Sequence, residues 1–152
     1  MTDARGLVER ARAEAASQGG EVLLLDADRV AGPEHLLVAA ERAERARQEG
    51  RGAADSLPME TLLYAAAERQ IATAQAKMAV RPGSVRLALV AWRCDPDDVL
   101  GLLGLRRDDR VLAPTLEKVR AFGITATELA TVRDDQSAEL VLERIALLEV
   151  AR

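Results

Sequence analysis

Arg69 and Gln70 stand side by side in residues 56–80, SLPMETLLYAAAERQIATAQAKMAV, the most unusual side-chain arrangement in the chain. Advancing each residue by 100° puts Met59, Leu63, Ala66, Ala67, Ala74 and Met78 on one apolar stripe, with Gln70 near its middle. An amide in that position is partly buried and has to find partners for its donors and acceptor. Arg69 lies to one side of the stripe, among Ala65, Ala72, Thr73 and Ala76, which are too small to cover a guanidinium. Such a face admits another backbone or a planar ligand. The plainer reading from pattern alone is that it packs on a neighbouring helix while Arg69 reaches out to water.

Other chemistry is sparse. His35 is the single histidine and Cys94 the single cysteine, so there is no His-based triad, no pair of histidine ligands, no thiolate metal site and no internal disulfide. Neither Gly50-Arg51-Gly52 nor residues 101–104 have the spacing, or the Lys-Ser/Thr that follows, of a phosphate loop. The acidic pairs Asp97-Asp98, Asp108-Asp109 and Asp134-Asp135 fall at turns or helix starts. His35, in the first turn of a helix, reads as a partly exposed residue with a local hydrogen bond. The reading is a non-catalytic binding protein without cofactor or metal; the alternatives are a small metabolite-binding domain or metabolic enzyme using His35 with a nearby aspartate, or a simple homo-oligomer.

The elements that must position these residues follow from pattern. A short surface helix spans 5–17 and ends at Gly19-Gly20; 21–27, EVLLLDA, is a buried strand; Pro33 opens a helix running to about Gln48. Residues 56–80 form one long helix with Ser56 as cap and Pro58 in its first turn. Arg81-Pro82-Gly83 turns the chain into a second strand, 85–92, and Asp95-Pro96 starts a short helix stopped by Gly104. A brief third strand at 111–113 precedes a helix that ends at Gly123. The last helix, 136–150, is apolar on more than one face and needs two burial partners, its own sheet and a second protein, the alternatives being a fully internal helix or one that pairs with a second copy. The whole chain, 1–152, reads as one α/β domain.

Composition narrows the function further. A formal net charge of −4 and aromatics at 2% argue against a whole-surface grip on nucleic acid and against a sheet that stacks bases on several rings. The start of the chain lacks the apolar run of a signal peptide, and no segment approaches the roughly 18 apolar residues of a membrane span. A cytoplasmic protein is expected.

Four pieces in order, LLLDADRVAGPEHLLVAAERA, DSLPMETLLYAAAERQIATA, RAFGI and LVLERIALLEV, resemble the smallest kinase-binding subunit of the KEOPS complex, the PRPK-binding protein family in its compact archaeal type. The likeness runs from about Val22 to Val150. It implies an α/β (α+β) fold, with helices packed around a small, largely antiparallel sheet of three or four strands. It further implies no activity of its own within a complex that installs threonylcarbamoyl-adenosine in tRNA. By this resemblance the subunit binds and stimulates a small atypical kinase and recruits tRNA by its single-stranded 3′ CCA end; a homodimer is compatible with it. Carried over, Arg69 and Gln70 would meet the nucleic acid with Lys77 and Arg81 adding phosphate contacts, and Ile145, Leu148 and Val141 would anchor the kinase. This chain departs from the family pattern in having Asp26 where asparagine is typical, Ala67 where glycine is frequent, Glu68 beside Arg69, and an opening strand shortened to residues 1–5.

Overall fold

Strand β1 (Glu21–Asp26) and strand β2 (Leu87–Trp92) pair antiparallel, from Glu21 opposite Trp92 to Asp26 opposite Leu87. They form the one sheet of the computed structural model, which describes residues 3–151. Alternation of side chains across a strand gives this ribbon two apolar faces. Leu23, Leu25, Ala88 and Trp92 enter the main core, while Val22 and Leu24, with Leu87, Leu89 and Ala91 beside them, enter a smaller one. The fold class is therefore α+β as expected, but the sheet has two strands instead of three or four.

Helix α1 (Ala4–Ser17), capped by Asp3, covers the smaller face with Ala11 and Ala15, joined by Val99 of α5 (Pro96–Leu102). The shortened opening strand lies in part on Met1 and Thr2, outside the described residues, and Ala4 already begins the helix. On the other face, α2 (Pro33–Gln48) lies against α3 (Leu57–Ala66), where Leu62, Leu63, Tyr64, Ala65 and Ala66 are all buried. Pro33 and Pro58 sit in first turns, where a missing N–H removes no helical bond. Glu60, fully buried, accepts hydrogen bonds from Ala53 N–H at 2.7 Å and Ala54 N–H at 2.9 Å and fixes the loop between these helices.

The brief strand expected at 111–113 is a 3-10 turn, Asp109–Leu112. Its backbone groups are already occupied. The Asp108 carboxylate accepts from Arg110 N–H, and Val111 and Ala113 N–H groups donate to Asp108 and Arg110 carbonyls. The Lys118 ammonium donates to the carbonyls of Val111 at 2.6 Å and Ala113 at 2.8 Å. These bonds take the N–H and C=O groups of Val111 and Ala113 that a ladder would use.

Helices α6 (Leu116–Phe122) and α7 (Ala126–Leu129) follow, and α8 (Ala138–Ala151) closes the main core against α2, α3 and α6. Among the described residues no helix is long and apolar enough to cross a membrane.

Candidate functional site

The expected single helix over 56–80 is broken in two. Ala67 adopts a left-handed conformation, φ 52° and ψ 46°, and its N–H together with that of Glu68 returns to the Tyr64 and Leu63 carbonyls, the double bond of a Schellman stop. The chain then restarts at α4 (Ile71–Met78) with Gln70 as its extended N-cap. This break overturns the inward placement of Gln70. It is exposed, as is Arg69, and the amide that had to be satisfied in a core stands in solvent.

The break also divides the small face. Ala65 is buried, whereas Ala72, Thr73 and Ala76 line the outside of α4 next to Gln70. No side chain caps the α4 N-terminus, so the amides of its first turn keep their partial positive charge toward solvent.

Lys77 and Arg81 hold helix ends. Lys77 Nζ donates to the Ala66 carbonyl at 2.7 Å, lies 3.8 Å from the Phe122 ring centroid, and has the Glu68 carboxylate 3.8 Å away. It thereby closes the open end of α3 and brings α4 back along it. Burial pushes the Lys77 ammonium below its usual pKa, and Glu68 pulls it back up. Arg81 donates to the Ala76 carbonyl at 2.8 Å. Each cation commits one N–H to a carbonyl and retains others.

His35 is fully buried, not partly exposed. Its Nδ1 accepts from the Ala31 N–H at 2.9 Å and its Nε2 donates to the Ala65 carbonyl at 2.7 Å, so the neutral ring is satisfied on both sides and ties α2 to α3. Phe122 packs edge-on, with ring centroids 5.5 Å apart. Desolvation lowers its pKa to about 4, against the partial support of the Ala65 carbonyl. Both nitrogens are taken by backbone groups, and among the described residues no carboxylate bonds to the ring. The arrangement proposed for a His35-based site is therefore missing.

A family model described as kinase binding protein CGI-121 matches residues 2–147. The chain belongs to the CGI-121 family. No curated protein matches it.

In this CGI-121 protein, the three side chains expected to anchor a partner on the terminal helix belong to its own core: Val141 and Ile145 are fully buried and Leu148 is 7% exposed. They pack in the same cluster as Leu62, Tyr64 and Phe122. The inner side of α8, expected against the sheet, is packed mainly by α2, α3 and α6, and it is to these helices that the three expected anchors turn. The outward positions are Glu143, Leu147 and Val150, with Leu147 53% and Val150 84% exposed. Glu149, bonded by Arg42 and by Arg51 at 3.2 Å, and Arg144, bonded to Glu128 at 2.7 and 2.8 Å, fix which side of α8 faces out.

Sequence reasoning missed the buried polar groups Glu60, Asp26, Ser84 and Lys118. Their partners are backbone amides, carbonyls and one another, which leave no spacing signature in the chain.

Proposed function

We propose that this chain is the non-catalytic KEOPS subunit that binds and stimulates the small atypical kinase and recruits cytoplasmic tRNA by its 3′ CCA end for threonylcarbamoyl-adenosine modification. Membership of a family described as kinase-binding, over nearly the whole chain, carries the reading. The kinase docks on the outward stripe of α8, with Leu147 and Val150 replacing the buried Val141, Ile145 and Leu148 as contacts. Large apolar side chains in open solvent on a helix whose inner face is already filled support this assignment.

The tRNA end lies across the α3–α4 break. Support comes from the exposure of Arg69 and Gln70 beside Ala72 and Thr73, from the uncapped α4 N-terminus, and from Lys77 and Arg81 nearby with donors to spare. Contacts this few give weak, salt-sensitive binding, suited to recruitment inside an assembly.

Co-purification with the kinase tests the first part. Leu147→Glu with Val150→Glu is expected to abolish capture while leaving the melting temperature within a few degrees, since both sites are exposed. Ile145→Ala should instead cost about 2–5 kcal/mol of stability. If the free protein is a dimer that Leu147→Glu splits, the stripe serves self-association and the kinase assignment fails. For the second part, tRNA with and without its terminal CCA is titrated: Arg69→Glu is expected to weaken binding of intact tRNA about tenfold or more. Equal binding of trimmed tRNA, or an unchanged Arg69→Glu titration, defeats it.

A further inference from the structure

A cavity of about 560 Å³ opens between the 3-10 turn Ala27–Arg29, the end of β1 and α6, far along the chain from the α3–α4 break and from α8. Its lining holds four cations, Arg29, Arg86, Arg110 and Lys118, against Asp26, Asp28 and Glu117. That is a net positive wall in a chain whose formal charge is −4.

Most of these charges are matched internally. Arg86 forks onto Asp28, with bonds of 2.9 and 3.2 Å, and Arg110 forks onto Asp108, with two of 2.9 Å. Asp26 accepts from Ser84 Oγ at 3.0 Å and from Asp28 N–H at 2.9 Å. Two cations remain. Lys118 is 9% exposed and uses two of its three N–H groups on the carbonyls of Val111 and Ala113, yet no carboxylate oxygen lies within ion-pair distance among the described residues. Arg29, half-buried, makes no hydrogen bond or ion pair among the described residues.

Burial pushes the Lys118 ammonium below its usual pKa, Asp28 pulls it back up only in part because Arg86 already forks onto that carboxylate, and an entering anion would lower the remaining cost. A guanidinium beside it supplies the planar fork that suits a phosphoryl oxygen pair. The rest of the lining that is apolar, Val111, Ala113 and Ala121, offers no ring for stacking a base. We propose that this cavity is a binding site for the phosphate group of a small phosphate monoester, held by Lys118 Nζ and the Arg29 guanidinium, with Arg86 at its edge. The cavity volume is in the range of small-molecule sites and leaves room for the organic part of the ligand.

The experiment uses the free, full-length protein, so it is independent of kinase and tRNA binding. Inorganic phosphate and, separately, adenosine 5′-monophosphate are titrated at constant ionic strength against chloride, and amide chemical shifts are followed by NMR. Saturable shifts clustered on residues 28–29 and 113–118 are expected. Arg29→Gln should weaken the apparent affinity about tenfold or more for both probes without moving the melting temperature. Lys118→Met should weaken it as well; if that variant unfolds because two carbonyls lose their donor, Arg29→Gln still decides the matter. Shifts that never saturate, that spread over the surface, or that persist unchanged in Arg29→Gln overturn the proposal. Binding of phosphate but not of the nucleotide confines the ligand to small oxyanions and overturns the monoester assignment.

Discussion

His35 illustrates how one side chain can do structural work that resembles a functional signal. Its two ring nitrogens bridge the Ala31 amide and the Ala65 carbonyl, and a charged ring would lose the acceptor at Nδ1. The folded pKa of about 4 lies below the ordinary 6.5, so between those values the unfolded chain takes up a proton that the folded chain refuses. Stability from this residue is complete above pH 6.5 and falls as pH drops toward 4, by about 3 kcal/mol over the whole interval. Denaturant unfolding from pH 7 to 5 should show that decline, ahead of most carboxylate titration. His35→Gln should show a flatter profile; an identical slope would assign the effect to another group. From the sequence, the singularity of His35 was visible, but its isolation from water was not. That isolation depends on Phe122 and on α3, which are distant in the chain.

At the scale of elements, the decisive event is the stop after α3. Nothing in YAAAERQI breaks a helix by propensity: there is no proline or glycine, and the alanines favour continuation. The stop is imposed by tertiary contacts, through Lys77 on the Ala66 carbonyl and the packing of α4 back toward Phe122. Ala67 pays for it with a left-handed backbone that alanine disfavours by about 1 kcal/mol. Ala67→Gly should therefore stabilise the protein by about 0.5–1 kcal/mol, read as a rise of a few degrees in melting temperature. A fall would mean that the Ala67 methyl packs more tightly than its partial exposure suggests. The same logic explains which other elements were legible. Strand 21–27, the helix from Pro33, the Asp95-Pro96 start and the Gly123 stop carry local signals and form close to where expected. The segment at 111–113 is decided by the side chains of Asp108, bonding the Arg110 amide, and Lys118, bonding two of its carbonyls, which no strand pattern reveals. The orientation of α8 depends on α2 and α3, far away in sequence.

Taken whole, the molecule is a thin ribbon of two strands with a core on either side, and the two cores differ in depth. The larger is closed by α2, α3, α6 and α8; the smaller consists of little more than Ala11, Ala15, Val22, Leu24, Val99 and Leu103 under α1 and α5. Because α1 is held mainly by alanines, its contribution is to exclude water from the sheet rather than to fill space. A chain begun at Glu21 should keep much of its helical circular dichroism, yet lose solubility, since Val22, Leu24 and Leu89 would then face water; light scattering would detect the change. If that shortened chain stays monodisperse, α1 is dispensable.

Two faces of one short strand pair thus lie in separate apolar layers, each closed by different helices. A tag or partner that peels away the leading helix would act like a mild denaturant on one side only, leaving the α8 surface and the α3–α4 turn intact. For anyone preparing this protein, trimming into α1 bares the smaller layer, whereas trimming into α8 takes Val141, Ile145 and Leu148 out of the larger one and carries the greater hazard.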